Sequence, residues 1–242
     1  MKIAFFSDIH SNFPALCGAF ASAERHKVSK IFCAGDVVGI GPHPIEVVRL
    51  LKERNVQTIR GNLDRKIVNL IKKEKGLKKL LKNKKKASLA WTALQMGEEE
   101  KSWLLNLPPE INIQIEGVSF LIVHGSLLSD ADYIYPSITS IGLSSKMKDK
   151  KTDVLVCGHS HIPFIKVVNN IRVINCGSVG KPIDGDPRGS YILVDISKSI
   201  PFHSEIIRFN YNTDNLVRDL EERKVPGISS DEFKLGVKVK GD

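Results

Sequence analysis

The sequence predicts a mixed α/β (α+β) fold in which two β-rich layers lie between helices. Three strand–loop–helix units fill the first 64 residues, and each strand ends in polar residues. After Pro108-Pro109 the pattern changes to closely spaced strands, which indicate a second β-rich layer. The 242 residues fit one domain with a full core, so we predict a single domain over residues 1–242.

The first strand, residues 3–6, is an apolar run that stops abruptly at Asp8-Ile9-His10. Such a run is typical of a strand that is buried on both faces of a sheet. In open α/β sheets, ligands bind beyond the carboxyl ends of the strands. Asp8 and His10 are therefore candidate ligands, although a helix-capping Asp beside an incidental His would explain the same two residues in isolation.

The next elements repeat this arrangement. The pattern predicts a helix over 14–27, a strand over 30–34, a helix over 45–54 and a strand over 56–59. The second strand ends at Gly35-Asp36, and the third ends at Gly61-Asn62-Leu63-Asp64. Asp8, Asp36 and Asn62 are 28 and 26 residues apart, the length of a βα repeat. Right-handed crossovers then bring the three strand ends to one edge of one sheet.

The second half of the chain is predicted to be rich in strands. A helical, Lys-rich insertion over 65–107 comes first, and a loop with a helix is expected over 129–151. Strands are predicted at 110–115, 118–123, 153–157, 164–168, 171–175, 191–195 and 202–209. A final helix over 213–223 leads into a polar tail that extends to 242, and we expect disorder after about Pro226.

The net charge of +9 is concentrated in one segment. Residues 65–86 hold eleven Lys or Arg and one Glu, which leaves a net of −1 on the rest of the chain. This distribution favours a local anionic partner surface, or a solvated helix, over a general nucleic-acid-binding fold. The four cysteines are scattered without a Cys-x-x-Cys pair, so we expect neither a disulfide framework nor a zinc knuckle.

Membrane insertion and secretion are not expected. No apolar run approaches the roughly 20 residues that a membrane span requires. The first residues lead directly into a strand pattern without a cleavage site, so we predict no signal peptide and a cytoplasmic protein.

Five strand ends carry side chains that bind metals. The residues are Asp8, His10, Asp36, Asn62, His124, His159 and His161, and they include four of the seven histidines. Nitrogen and oxygen donors without sulfur suit two borderline divalent ions, such as Mn, Fe, Ni, Co or Zn. Two ions about 3.5–4 Å apart need a bridging carboxylate. Asp36, which is central in the strand order, is the predicted bridge.

These residues resemble the signature blocks of a known family. The blocks Asp8-Ile9-His10, Gly35-Asp36, Gly61-Asn62-Leu63-Asp64, His124 and Gly158-His159-Ser160-His161 are similar, in order and spacing, to those of the calcineurin-like metallophosphoesterases. The similarity covers about residues 1–195. The runs Gly39-Ile40-Gly41-Pro42, Val123-His124-Gly125-Ser126 and Asn175-Cys176-Gly177-Ser178-Val179-Gly180 resemble the small bacterial and archaeal phosphodiesterase branch.

The resemblance implies a four-layer β-sandwich of two mixed sheets flanked by helices. It implies that Asp8, His10 and His161 bind one ion, that Asn62, His124 and His159 bind the other, and that Asp36 bridges them. The implied reaction is hydrolysis of a phosphate ester by a hydroxide that bridges the two ions and that Asp36 orients.

One position departs from the family pattern. Many members have a His after the Asn of the Gly-Asn block, where it protonates the leaving oxygen, but this chain has Leu63. Asp64 remains, although in the family it orients that His. His43 is the spare histidine nearest to the site in the sequence, and a surface loop His is the competing interpretation. We therefore expect either substrates whose leaving groups need little protonation or another proton donor.

The predicted function is a metal-dependent phosphodiesterase that acts on a small nucleotide or phosphate ester. Arg188, in the loop 177–189, is a candidate phosphate ligand, and a solvent-exposed turn with an ion pair explains it equally well. A nuclease, or a scaffold of the same fold that has lost its activity and binds proteins, is the alternative. A nucleic-acid partner is not favoured, and a homo-oligomer is left open.

Overall fold

The computed structural model describes residues 1–73, 76–83, 86–196 and 202–238. The described residues form ten strands and nine helices. The strands are β1 (Lys2–Phe6), β2 (Lys30–Cys33), β3 (Gln57–Thr58), β4 (Glu110–Ile115), β5 (Val118–Val123), β6 (Val154–Cys157), β7 (Phe164–Val168), β8 (Ile171–Asn175), β9 (Gly189–Asp195) and β10 (His203–Phe209). The helices are α1 (Phe13–Arg25), α2 (Pro44–Glu53), α3 (Asn62–Lys73), α4 (Leu77–Leu80), α5 (Ala87–Gln95), α6 (Glu98–Leu105), α7 (Ser140–Met147), α8 (Thr213–Glu222) and α9 (Asp231–Leu235).

The strands form two mixed sheets of five strands each. The first has the order β10-β9-β1-β2-β3, with β1, β2 and β3 parallel. The second has the order β4-β5-β6-β8-β7, with β5, β6 and β8 parallel. The remaining strands of both sheets pair antiparallel with their neighbours. The predicted convergence of the first three strand ends at one sheet edge is therefore confirmed, as are the two mixed sheets.

Strand β1 shows why its sequence is apolar throughout. Ile3 and Phe5 point into the core between the two sheets, where the Phe5 ring stacks on Phe120 of the second sheet with 5.5 Å between centroids. Ala4 and Phe6 point to the opposite face and pack in the cluster beneath the helices. Because successive side chains of a strand face opposite sides, a strand between two apolar layers needs apolar residues at every position.

The predicted insertion over 65–107 is helical, but its first helix begins earlier than expected. Helix α3 starts at Asn62, and α4, α5 and α6 follow it within 65–107. Residues 74, 75, 84 and 85 of the Lys-rich segment lie outside the described residues. In the part of the chain that the structure describes, no helix is both long enough and apolar enough to cross a membrane.

The prediction of disorder after about Pro226 is wrong for the residues up to 238. Helix α9 forms there, and its Phe233 is fully buried against Leu216 and Leu220 of α8. Val225 and Ile228 pack in the same cluster. Burial of one large apolar side chain such as Phe233 stabilises the folded chain by roughly 1.5–3 kcal/mol, which anchors the segment. The final residues, 239–242, lie outside the described part.

Candidate metal centre

The strand ends that carry the predicted ligands adopt an unusual backbone conformation. Five of the seven residues have positive φ angles: Asp8 (54°), His10 (51°), Asp36 (51°), His159 (63°) and His161 (56°). Residues other than glycine adopt this left-handed backbone conformation at a cost of roughly 1–3 kcal/mol each. Such strain persists only where the surrounding structure fixes it, and it is concentrated at functional sites.

Hydrogen bonds between the loops fix this conformation. Asp8 N donates to Gly35 O (2.9 Å), and His10 N donates to Asp36 O (2.9 Å), which joins the loops after β1 and β2. The second sheet is tied to the first by the ring of His124, whose Nδ1 donates to Ala34 O at 2.7 Å. The loops therefore hold one another, and the ligands are positioned before any ion binds.

Two glycines allow these loops to approach closely. A Cβ atom at Gly61 would lie 2.2 Å from both N and Oδ1 of Asp36. A Cβ at Gly158 would lie 2.0 Å from Ser7 Oγ and 2.5 Å from Asp8 Oδ2. Either side chain would displace a carboxylate of the site, which explains why glycine precedes Asn62 and His159.

The first group of candidate ligands contains Asp8, His10 and His161. One donor atom from each lies within 4.8 Å of the others. His161 Nε2 is 3.1 Å from Asp8 Oδ1 and 3.1 Å from His10 Nε2. Two imidazole nitrogens and a carboxylate oxygen that converge in this way can hold a divalent cation.

The second group contains Asp36, His124 and His159, whose donor atoms also lie within 4.8 Å of one another. Asn62 joins it, because its Oδ1 lies 3.2 Å from His124 Nε2. The Asp36 carboxylate faces both groups, with Oδ1 at 3.5 Å from His124 Nε2 and Oδ2 at 3.9 Å from His10 Nε2. All seven predicted ligands are thus brought together, with Asp36 in the middle.

The contacts behind the ligands leave their inner atoms available. Asp8 Oδ2 accepts hydrogen bonds from Ser7 Oγ (2.6 Å) and His159 N (2.9 Å). His161 Nδ1 donates to the carbonyl of Lys181. Among the described residues, the buried His159 Nε2 has no hydrogen-bond partner, and Asp8 Oδ1 lies 3.1 Å from His161 Nε2 without forming a hydrogen bond. Buried polar atoms without partners cost free energy unless a ligand satisfies them, so this donor set fits divalent cations.

The charges of the site also fit cations. Burial raises the pKa of Asp8 and Asp36, but the surrounding imidazoles override this effect and hold both pKa values below the usual 3.8. Burial lowers the pKa of His124, yet the two carboxylates reverse that effect and raise its pKa to about 10. The buried carboxylates thus attract positive charge, which a proton on His124 supplies and which a bound cation would replace.

The ligands open into a cleft whose lining includes residues that we did not predict. They are Tyr133, Tyr135, Ser160, Ile162, Lys181, Ile183 and Lys238, beside Ile40 and Leu63. Lys181 is only 7% exposed, and its Nζ lies 2.9 Å from Glu232 Oε2 of α9. Lys181 and Ile183 lie in the loop 177–189, and Ser160 lies in the Gly158-His159-Ser160-His161 block. Tyr133, Tyr135 and Lys238 lie in a loop and a tail without periodicity, where the sequence pattern gave no signal.

Two further predicted residues, His43 and Arg188, are absent from the described lining of this cleft. His43 is buried at the start of α2, with its Nε2 2.9 Å from Asp219 Oδ2 of α8. Arg188 lies in a turn, where its guanidinium pairs with Asp186 at 2.7 Å. The structure therefore does not bring either residue to the ligands, and the contacts of Arg188 match the exposed-turn interpretation.

Asp64 lies beside the ligands but faces the backbone. Its carboxylate accepts hydrogen bonds from Gly61 N (2.9 Å), Val38 N (3.1 Å) and Val37 N (3.2 Å). Burial and the charge of Asp36 raise its pKa to about 7, while these three donors oppose the rise. The side chain thereby ties the loop that follows Asp36 to the start of α3, where Asn62 lies.

Comparisons with known proteins identify the family. Residues 1–199 match the model of the calcineurin-like phosphoesterase superfamily domain. Uncharacterized protein MJ0912 of Methanocaldococcus jannaschii is 28% identical over 97% of this chain and 98% of its own length. Phosphodiesterase YfcE of Escherichia coli is 25% identical over 81% of this chain and 88% of its own length.

The fold gives the same result. The crystal structure of a metallophosphoesterase from Sphaerobacter thermophilus superposes with a TM-score of 0.79 at 26% identity, covering 98% of this chain and 100% of the other. The two mixed sheets, the convergent ligand groups and the match over residues 1–199 lead to one conclusion. The chain belongs to the calcineurin-like phosphoesterase superfamily.

Proposed function

We propose that this protein is a phosphodiesterase that hydrolyses a small phosphate ester with two divalent ions. The observation that carries the proposal is the position of the Asp36 carboxylate, which faces His10 with one oxygen and His124 with the other. Asp8, His10 and His161 would hold one ion, and Asn62, His124 and His159 the other. The nitrogen and oxygen donors suit Mn, Fe, Ni, Co or Zn.

Bound ions would supply an acidified water as the nucleophile and would neutralise charge on the phosphate oxygens. The chain's own residues have distinct tasks. Asp36 holds the two ligand groups together and orients the nucleophile. Lys238 places a cationic side chain on the wall of the cleft, where it attracts an anionic ester, while Lys181 lines the same wall with its Nζ paired to Glu232. Tyr133, Leu63 and Ile162 cover part of the same wall and exclude water.

The residue at position 63 favours diesters whose leaving groups need no proton. Leu63 lines the cleft at the position where the family resemblance implies a His, and a leucine side chain cannot donate a proton. The relative from Escherichia coli is named a phosphodiesterase, which supports the same class of substrate.

The two alternatives have less support. A nuclease would use the Lys-rich segment, but none of its described lysines lines the cleft. A scaffold without activity would not need seven convergent ligands, nor positive φ angles at five of them. We therefore keep the phosphodiesterase as the proposal.

The direct test is hydrolysis of bis-p-nitrophenyl phosphate and p-nitrophenyl phosphate with Mn²⁺, Ni²⁺ or Mg²⁺. We expect the diester to react faster than the monoester, and only with a transition metal. Excess EDTA should abolish turnover, and restored Mn²⁺ should recover it. Turnover that is unchanged in EDTA would contradict the metal requirement, and a preference for the monoester would contradict the diesterase.

Leu63→His is expected to raise turnover of esters with poor leaving groups. An imidazole at this place on the cleft wall could protonate an alkoxide, and general-acid catalysis contributes about 10²–10⁴-fold. An alkyl leaving group should gain from this change, whereas p-nitrophenolate, which needs no proton, should not. The measurement is kcat for methyl and p-nitrophenyl diesters side by side.

Leu63→Gln is the matched control, because it is polar and of similar size but has no acidic proton. It should leave the ratio of the two rates unchanged. If Leu63→His accelerates neither ester, or both equally, the idea that this position lacks an acid is wrong.

A further inference from the structure

Two tyrosines form an exposed aromatic surface beside the metal centre. Tyr133 and Tyr135 line the cleft and are 46% and 43% exposed. Their rings are parallel within 7°, with centroids 5.3 Å apart. On the inner side, the Tyr133 ring stacks on His159 at 4.3 Å. Three rings therefore lead from a candidate metal ligand out along the wall of the cleft.

The loop that carries this surface is held firmly. Ile134, between the two tyrosines, is 1% exposed and packs in the core beneath the second sheet. Its carbonyl accepts a hydrogen bond from Asn175 Nδ2 at 3.4 Å. Tyr133 N donates to Asp132 Oδ1 (2.9 Å), and Asp132 Oδ2 accepts from Ser126 Oγ (2.5 Å). The two rings are thus pre-organised, which lowers the entropic cost of binding to them.

The binding of ions and phosphate does not explain this surface. Folding buries most large aromatic side chains, so a stacked pair left half-exposed at a cleft indicates a binding role. Ile40, Ile162 and Ile183 add apolar area to the same cleft. An ester with two small alkyl groups would use little of it, whereas a flat aromatic group would continue the row of rings.

We propose that Tyr133 and Tyr135 form a stacking platform for the base of a nucleotide, so that the preferred phosphodiester is a nucleotide ester. The proposal rests on the proposed function, because the phosphate of this substrate is held at the metal centre. Tyr133 lies between the candidate ligand His159 and Tyr135, so a base on Tyr135 would share one cleft with a phosphate held at the ligands. Both hydroxyl groups are dispensable in this scheme, because the ring faces make the contact.

The test compares binding of AMP and ribose 5-phosphate by calorimetry in the presence of Mn²⁺. The two probes share the sugar phosphate and differ in the base. Because one stacked base contributes about 5- to 150-fold in affinity, we expect AMP to bind tighter by a factor in this range. Tyr135→Ala should reduce that advantage to within about twofold, while binding of ribose 5-phosphate is kept.

Three further variants sharpen the result. Tyr135→Phe keeps the ring and should keep the preference for AMP, whereas Tyr135→Leu is apolar but not flat and should lose it. Leu128→Ala, an exposed residue of the same loop that is absent from the described lining, should change neither affinity. Tyr135 is the primary site because Tyr133 also packs on His159, so its loss could disturb a metal ligand.

The outcomes separate the two proposals. Equal affinity of the wild type for AMP and ribose 5-phosphate, or a preference for AMP that survives Tyr135→Ala, overturns the stacking platform. EDTA tests the proposed function instead, because removing the ions should weaken both probes. If EDTA leaves both affinities unchanged but Tyr135→Ala still abolishes the preference, the platform is supported and the role of the ions is wrong.

Discussion

Asp36→Asn is expected to lower kcat/KM for bis-p-nitrophenyl phosphate by about 10³-fold or more. The change keeps the size of the side chain and an oxygen that can accept the hydrogen bond from Leu63 N (2.8 Å). It removes the negative charge that faces both ligand groups. Without that charge, nothing between the two ligand groups offsets the repulsion between two neighbouring cations. We therefore also expect fewer than two bound ions per chain.

The measurement combines steady-state kinetics over a range of Mn²⁺ concentrations with metal analysis of the dialysed protein. Asp153→Asn is the matched control, because this exposed aspartate precedes β6 and contacts Ser119 at the strand end opposite the ligands. It should retain wild-type activity and metal content. If Asp36→Asn keeps two ions and its diester turnover, Asp36 does not bridge the ions.

The sequence predicted that the candidate ligand side chains converge because each of them follows a buried strand. A strand between two apolar layers ends visibly where polar residues begin, as β1 does before Asp8. Because β1, β2 and β3 are parallel neighbours, their carboxyl ends lie at one edge of the sheet. Asp8, Asp36 and Asn62 therefore lie close together, whatever conformation the loops adopt. The hairpin of β4 and β5 also has its predicted bounds, since Glu116-Gly117 supplies the positive φ angles that its turn needs.

The lining of the cleft was not predictable by the same means. Tyr133 and Tyr135 lie in a loop without regular periodicity, and their exposure depends on Ile134 being drawn into the core between them. Lys181 meets Glu232 across 51 residues of chain, through a tail whose fully buried apolar anchor is Phe233. Long-range packing decides such positions, and neither composition nor spacing encodes it locally.

Asp64→Asn is expected to lower the free energy of unfolding by about 2–4 kcal/mol. The carboxylate is fully buried and accepts three backbone N–H groups, from Val37, Val38 and Gly61. An amide of the same shape turns one end from acceptor to donor, so at least one buried N–H faces another donor. The connection between the loop of Asp36 and the start of α3 is then weakened. The measurement is urea unfolding with EDTA present, so that ion binding does not add to stability.

Asp153→Asn is again the control, because it makes the same chemical change at an exposed aspartate and should cost at most about 1 kcal/mol. Stability and activity together distinguish the two roles of Asp64. As a positioning residue, Asp64 should lose both, and its diester activity should fall equally for methyl and p-nitrophenyl leaving groups. As a proton donor, it should keep wild-type stability and lose activity only on the methyl ester. The three buried backbone contacts lead us to expect the first pattern, because the carboxylate is fully buried and directed at backbone N–H groups, and Asp64 is absent from the described lining of the cleft.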